Sequence, residues 1–455
     1  MSDFNGLRIA LSSLYAQRKA LQVTGQNIAN VNTDGYSRQR VELHADSGPT
    51  TPARESRYPG TGMGVITGDT TRLRDQFLEL RGYQEHAVDA ALKESQSVLA
   101  RIELAFDEPS EDGISKLISE FLSAFDDVAN NPDDLAARAQ LVEQARTLAS
   151  GFSQLDAALA TQRSSSIDEL ASIVAEVNNS AARVAELNQN ITSAINNGFS
   201  PNELMDQRDQ LIAQMAEQVG VTVRPGENGT VDVFVGGTAI VRGSRSSPLQ
   251  VEVGTDPAQT VRVTWAGDSY PAGISGAAGG LLSAVNDVIP RYRDGLVAIA
   301  QELGDEVNDL HRTGYALDGS TGIDFFVAGP GGSIVVNPAV AADPRLVAAA
   351  SAAGATRDGS LAQRIAELTG AGSSYHQLVV NLGVEAQAVN RRVDVQASIV
   401  QHVDAARESA AGVNLDEEMT AMLQYQHAYD AAARFLTAVD QALDTLINST
   451  GLVGR

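Results

Sequence analysis

Apolar residues recur at alternating intervals of four and three positions in six separate stretches of the chain. This spacing places them along one side of a helix and is typical of long helices that pack in shallow coils. It predicts a mainly α protein with helices at both ends and through much of the middle. The stretches cover residues 7–28, 88–106, 167–191, 289–310, 382–403 and 415–447.

The segment 219–274 breaks this helical pattern, because its apolar and polar residues alternate with a period of two. Asn228-Gly229 and Gly236-Gly237 are typical of tight turns between antiparallel strands. The segment therefore predicts a small β domain inserted between helices. Residues 314–374 are rich in Gly, Asp, Pro and Ala, and we expect loops, a short hairpin and one or two helices there.

Helices flank both irregular segments, so the two ends of the chain can fold back on each other. We therefore expect nested layers, each built from both halves of the sequence. The expected domains are an inner core of residues 1–43 with 409–455, an α-helical rod domain of residues 44–218 with 275–408, and the inserted β domain of residues 219–274.

Local signals mark the inner ends of the two terminal helices. Asn414 followed by Glu417 fits a capping box and predicts a helix that begins at Leu415. Near the other terminus the sequence is rich in asparagine, a weak helix former, and Gly35 permits a positive φ. The first helix is therefore predicted to end near Val31 in a turn.

Composition excludes several classes of function. The formal net charge of −24 disfavours binding to nucleic acid or to an anionic membrane surface. The sequence has no cysteine, which removes disulfides, thiolate metal sites and cysteine nucleophiles. Its N-terminus lacks the apolar stretch of a secretory signal peptide, and no run approaches the roughly 18 apolar residues of a membrane span.

Candidate catalytic and metal-binding patterns are weak. The six histidines are scattered without a metal-ligand spacing, and the consecutive carboxylates 416–418 point to different sides of a helix. The sequence LDGSTGID, residues 317–324, lacks the closing glutamate of a calcium loop and is interpreted as a turn. Glycines 60, 62 and 64 precede an extended stretch that we interpret as a strand. We expect no catalytic residue, no metal and no cofactor.

The most specific signal is NIANVNTDGYSRQ, residues 27–39. It resembles the N-terminal motif of bacterial flagellar axial proteins, which build the rod, the hook and its associated junctions. Within that family the ending Ser-Arg-Gln is more similar to hook-associated members than to the hook protein. The residues that carry the resemblance are Asn27, Asn30, Asn32, Thr33, Gly35, Tyr36, Ser37, Arg38 and Gln39.

Three other segments extend the resemblance over the chain. Residues 409–448 are similar to the closing helix of the family, with its Gly-Val-Asn-Leu-Asp-Glu-Glu entry. Residues 279–319 are similar to its central helical segment, and DQFLELR, residues 75–81, adds an interior match. The resemblance therefore reaches both termini, although the β insertion carries no motif of the family.

The resemblance implies a structural subunit that joins the flagellar hook to the filament and is not an enzyme. It further implies antiparallel terminal helices that contact neighbouring copies. The expected partners are other copies of the chain, the hook protein, the next hook-associated protein, and a cytoplasmic export chaperone on the C-terminal helix. The expected assembly interface consists of Leu7, Leu11, Leu14, Leu21, Ile28, Leu415, Met422, Tyr425, Tyr429, Leu436, Val439, Leu443 and Leu446.

The implied location is the extracellular flagellum, reached through the flagellar type III export apparatus without a cleaved signal peptide. Two alternatives remain open from the sequence. The chain could be another axial subunit of the hook or distal rod type. It could also be an enzyme or an adhesin whose activity lies in the β insertion.

Overall fold

The computed structural model describes residues 3–46, 62–255 and 260–449. Helices make up 67% of the structure, which confirms the predicted mainly α class. None of the helices in the described part is long and apolar enough to cross a membrane. The helices are α1 Asp3–Ala29, α2 Gln76–Phe106, α3 Ile114–Asn130, α4 Leu135–Asn196, α5 Asn202–Val219, α6 Gly276–Ser283, α7 Ile289–His311, α8 Pro338–Ala342, α9 Ser360–Ala366, α10 Gly370–Ala411 and α11 Leu415–Ser449.

Short strands form small antiparallel sheets between these helices. The described sheets have the strand orders β1-β2, β3-β4-β5-β6, β7-β8, β10-β11 and β12-β9. The strands are β1 Gln39–Ala45, β2 Val65–Arg72, β3 Thr222–Pro225, β4 Val231–Val235, β5 Thr238–Arg242, β6 Arg245–Ser246, β7 Leu249–Val253, β8 Val261–Trp265, β9 Tyr315–Ala316, β10 Phe326–Ala328, β11 Ile334–Val336 and β12 Ala348–Ala350.

The chain folds as two compact units, and strands of the predicted β insertion occur in both. The sheet β3-β4-β5-β6 belongs to the first unit and the pair β7-β8 to the second. The expected division into three domains stays a prediction. The first unit consists of residues 1–86, 177–248 and 398–455, and the second of residues 87–176 and 249–397.

All six predicted helical stretches lie within helices of the structure. Helix α1 ends at Ala29 and α11 begins at Leu415, in agreement with the predicted boundaries. Helix α3 was missed, although its buried residues follow the same four-and-three spacing that identified the others. These residues are Ile114, Ile118, Phe121, Phe125 and Val128.

In the first unit, α1 and α11 pack against each other in antiparallel orientation. A Cβ built on Gly6 would lie 3.4 Å from Val439 Cγ2. At the other end of the pair the Asn27 amide donates to Glu418. Residues near the start of α1 therefore contact residues near the end of α11, and residues near the end of α1 contact the start of α11. This confirms the predicted pairing of the terminal helices.

The face of α1 that is buried most deeply is made of small and polar residues. Three of its residues, Ala10, Ala20 and Asn27, directly precede the stripe residues Leu11, Leu21 and Ile28 that the sequence pattern selected. Small side chains permit close approach of neighbouring elements. The buried residues of this face are Ala10, Ala16, Ala20, Thr24 and Asn27.

The predicted turns of the β segment have the expected backbone geometry. Asn228 and Gly229 have φ values of 50° and 75°, and Gly236 and Gly237 have φ values of 55° and 87°. The sheet β3-β4-β5-β6 is also tied to helix α4, because the buried Asn188 amide donates 2.8 Å hydrogen bonds to the carbonyls of Val231 and Gly243.

The second unit is centred on a cluster of aromatic side chains. Phe121 of α3 contacts both Phe325 and Phe326, and Phe125 contacts Phe325, with ring centroids 5.4–5.9 Å apart. The rings of Phe325 and Phe326 are themselves in contact at 4.9 Å. All four rings are fully buried. Residues 314–374 form two short sheets, α8 and α9, as the composition of that segment predicts.

Candidate functional site

The motif segment of residues 27–39 returns to the end of α1 and is held there by Asn27. The Asn27 side chain is 1% exposed. Its Oδ1 accepts from the Tyr36 hydroxyl at 2.8 Å and from the Gln39 amide at 3.0 Å. Its Nδ2 donates to the Gln39 carbonyl at 2.9 Å and to Glu418 Oε2 at 3.0 Å. These four bonds use the full hydrogen-bonding capacity of a carboxamide.

Arg38 connects the same segment to the C-terminal helix. Its Nε donates to Glu418 Oε1 and its Nη1 to Glu417 Oε2, each at 2.7 Å. Its backbone amide donates to the carbonyl of Ala411, the last residue of α10. We call Asn27, Tyr36, Arg38, Gln39 and Glu418 the terminal hub, because they join the inner ends of both terminal helices.

The start of α11 presents its three carboxylates to different surroundings. Asn414 Oδ1 accepts from the amides of Asp416 and Glu417, which confirms the predicted N-cap. The expected return bond from the Glu417 side chain is replaced by its contact with Arg38. Glu417 is 60% exposed, whereas Glu418 is 3% exposed. The buried carboxylate therefore requires its partners for solvation.

Helix α5 supplies a second set of contacts to the motif. The Ser37 hydroxyl donates to Asp206 Oδ1 at 2.8 Å. Asn202 donates to the Gln39 side chain at 3.1 Å and to the Thr70 carbonyl at 2.8 Å. The motif therefore binds α5 and strand β2 as well as the terminal helices.

A cluster of arginines neutralises the carboxylates of α5. Arg72 donates to Asp206 at 2.8 Å and to Asp209 at 2.9 Å, and Arg74 also binds Asp209. Burial by itself raises the pKa of Asp209, but Arg208, Arg72 and Arg74 hold it below its ordinary value. Asp209 is therefore ionised at neutral pH and holds these segments together.

The cluster continues to the segment DQFLELR and to α10. Glu79 accepts from Arg407 at 2.8 Å and from Arg74 at 3.4 Å. Asp75 caps the start of α2, because its Oδ1 accepts from the amides of Phe77 and Leu78. The segment DQFLELR is one of those that resemble the flagellar axial proteins. Its two acidic residues, Asp75 and Glu79, cap helix α2 and bind the arginines.

The hub also perturbs Tyr36. Burial, followed by the negative charges of Asp206, Glu418 and Glu203, raises the pKa of its phenol to about 12. The neutral hydroxyl is the form that donates to Asn27. The neutral Tyr36 hydroxyl contributes its full stabilisation of the fold below the unfolded-state pKa of about 10. That contribution is lost as the pH rises toward 12.

We predict that Tyr36→Phe lowers the free energy of unfolding by about 1 kcal/mol at pH 7, the usual net contribution of one hydrogen bond. The variant should also lose less stability than the parent between pH 10 and pH 12. Urea unfolding followed by circular dichroism across this range measures both effects. Tyr15→Phe is the control, because Tyr15 is 58% exposed. Equal behaviour of the two variants would contradict the assigned role.

The remaining motif residues shape the turn after α1. Thr33 Oγ1 donates to Asn30 Oδ1, and Asn30 Nδ2 donates to the Gln26 carbonyl. Gly35 has a φ of 80°, as the turn prediction requires. Asn32 is exposed. The structure therefore divides the motif into a turn and a buried anchor that the sequence did not separate.

The expected assembly residues are only partly covered within the chain. Four of them are exposed: Leu11, Leu415, Tyr429 and Leu446. The others are half-buried along the pair α1 and α11: Leu7, Leu14, Leu21, Ile28, Met422, Tyr425, Leu436, Val439 and Leu443. The interface that they were expected to form stays a prediction.

Sequence reasoning missed the acidic and basic residues that complete this region. These residues have charged neighbours in the sequence, as many surface residues do, and no regular spacing links them: Asp206, Asp209, Arg72 and Arg74. All four lie outside the segments that resemble the family, so the sequence held no signal that could have found them. Glu418 was considered only as one of three consecutive carboxylates that point to different sides of a helix.

The described residues include no group of three or more His, Asp or Glu side chains placed to hold a metal ion. Residues 318–320 form the predicted turn, in which Asp318 Oδ1 accepts from the Ser320 amide and hydroxyl. Gly64 leads into strand β2 as predicted, whereas Gly60 lies outside the described residues.

Three segments match families of flagellar proteins. Residues 99–326 match the helical domain of the flagellar hook-associated protein FlgK. Residues 7–36 match the flagella basal body rod protein family, and residues 406–449 match the C-terminal region of the basal body rod FlgEFG proteins. The two terminal matches cover most of α1 and α11.

Comparisons with individual proteins agree with these matches. The chain is 28% identical to flagellar hook-associated protein 1 of Bacillus subtilis over 100% of both chains. It is 31% identical to the Salmonella typhimurium protein of the same name, over 70% of this chain and 59% of that protein. The structure of the flagellar hook junction protein FlgK from Burkholderia pseudomallei is similar over 55% of this chain and 46% of that chain, with 27% identity and a TM-score of 0.50.

Proposed function

The chain belongs to the family of the flagellar hook-associated protein FlgK, and we propose that its paired terminal helices build the junction between hook and filament. The protein is a structural component of the bacterial flagellum. The observation that carries the proposal is the pair α1 and α11, which leaves apolar side chains exposed on the helix at the chain's C-terminal end.

Three exposed apolar residues near the start of α11 form a stripe along that helix. Leu415, Met419 and Leu423 follow one another at intervals of four and are 44%, 52% and 51% exposed. We call these three residues the outer stripe. Residues four apart share one face of a helix. An apolar face of this kind is suited to contact with another subunit.

Contacts of this stripe with neighbouring copies would place the subunits around and along a common axis. A contact between two different surfaces of identical subunits generates a ring or a helical array. The proposed neighbours are other copies of this chain, the hook protein on one side and the next hook-associated protein on the other.

Export precedes this assembly in the proposal. A cytoplasmic chaperone would cover the amphipathic α11 in the helix-in-groove mode. The chain would then leave the cell unfolded through the flagellar type III apparatus, and it would act outside the cell as part of the flagellum. It would perform no catalysis, consistent with the structural character of its relatives.

Deletion of the gene tests the junction role. We expect electron microscopy to show hooks without filaments, with flagellin released into the medium. The complementing wild-type gene restores filaments in the same strain. Normal filaments in the deletion strain would refute the proposal, and loss of the hook itself would favour a rod or hook subunit instead.

A further inference from the structure

His311, the last residue of α7, is buried in the second unit with both ring nitrogens bonded. It is 1% exposed, and its ring packs edge-on against Phe325 with centroids 5.5 Å apart. Nδ1 lies 2.7 Å from the Ile323 carbonyl oxygen, and the Ala348 amide donates to Nε2 at 2.8 Å. A peptide N–H can only donate, so Nε2 is the acceptor and Nδ1 carries the proton. The ring is therefore neutral.

Arg138 of α4 binds the peptide group that joins Val347 to Ala348. It is 2% exposed. Its guanidinium donates to the Pro132 carbonyl at 2.9 Å and 2.6 Å, and also to the Val347 carbonyl. Arg138 and His311 therefore bind the carbonyl and the amide of one peptide group at the start of strand β12. Within the described part of the chain, no carboxylate forms a salt bridge with this arginine.

The surroundings of His311 oppose a positive charge on its ring. Burial lowers the pKa of the imidazole to about 4, and the charge of Arg138 acts in the same direction. The Ile323 carbonyl and Asp324 act against this shift without cancelling it. A protonated ring would also direct an N–H at the Ala348 amide, so two donors would face each other without an acceptor.

We propose that His311 and Arg138 form an acid-sensitive latch on strand β12: the neutral imidazole accepts the Ala348 amide, and protonation releases the strand from α7. The neutral ring stabilises the fold fully above the unfolded-state pKa of about 6.5. That contribution is lost as the pH falls from 6.5 through 4. The latch therefore lowers the stability of the second unit as the medium becomes acidic.

Urea unfolding of the full chain tests the latch. Trp265, the one tryptophan of the sequence, lies in β8 of the second unit and reports on that unit by fluorescence. If unfolding takes up one proton, the unfolding equilibrium constant rises about tenfold for each unit by which the pH is lowered between 6.5 and 4. His311→Gln keeps a donor and an acceptor without titrating and should remove this tenfold dependence. His376→Gln, at an exposed position of α10, should retain it.

Retention of the full pH dependence in His311→Gln would overturn the proposal. If that variant does not fold, nitrogen-15 NMR of the wild-type histidine rings decides the question. We expect one ring to remain the neutral Nδ1-protonated tautomer at pH 5.5. Titration of every ring with an ordinary midpoint near 6.5 would also overturn the latch.

Discussion

Glu418→Ala is expected to lower the free energy of unfolding of the first unit by about 3 kcal/mol, in the range found when one partner of a buried ion pair is removed. Glu418 is 3% exposed and binds both Arg38 and Asn27. Its removal leaves the Asn27 amide with an unmatched donor and Arg38 without its buried partner. Urea unfolding, combined with hydrogen exchange of the first turns of α11, measures the loss.

Glu417→Ala is the matched control, because Glu417 binds the same arginine at the same 2.7 Å distance but is 60% exposed. Exposed ion pairs contribute about 0–1 kcal/mol, so we expect a small effect. A double-mutant cycle of Arg38→Ala and Glu418→Ala then gives their coupling. Equal destabilisation by Glu417→Ala and Glu418→Ala would contradict the structural role of the terminal hub.

Replacing the outer stripe with aspartate, as Leu415→Asp with Met419→Asp and Leu423→Asp, is expected to abolish assembly. Three charges in a subunit contact cannot be desolvated without large cost. The monomer should change by no more than about 1 kcal/mol, because exposed substitutions have small effects on stability. Electron microscopy of cells should show hooks without filaments, while circular dichroism of the purified variant shows an intact helical fold.

The control for this variant keeps the stripe apolar, as Leu415→Met with Met419→Leu and Leu423→Met. These changes conserve volume and hydrophobicity and should leave filaments attached. Filaments on cells that carry the aspartate variant would refute a role of the outer stripe in assembly. That result would leave the role of the terminal hub unchanged, since none of the three stripe residues belongs to it.

Much of the secondary structure could be predicted because it depends on neighbours in sequence. The N-cap at Asn414 and the turns at Asn228-Gly229 and Gly236-Gly237 are satisfied within a few residues of chain. Helical stretches were located by spacing alone. The predicted stripe of α1 lies beside the face that is most deeply buried. Large leucines mark one face in the sequence, whereas the observed packing buries the neighbouring Ala10 and Ala20.

The candidate site was predicted as a set of motif residues but not as an arrangement. Asn27, Tyr36 and Arg38 were selected by resemblance, and the roles that they perform depend on Glu418 and Asp206. Those partners are separated from the motif by 169 to 391 positions in the hydrogen bonds that they form. Nothing in the spacing of a single sequence encodes such a distant pair.

The sequence by itself determined the mainly α class, the helix boundaries near residues 29 and 415, the β turns and the family resemblance. These features arise from local backbone preferences and from motifs that are contiguous in the chain. Only the tertiary structure decided which carboxylate of residues 416–418 is buried and which nitrogen of His311 carries a proton. Burial and hydrogen-bond partners set those properties, and both come from residues that are distant in sequence and adjacent only after folding.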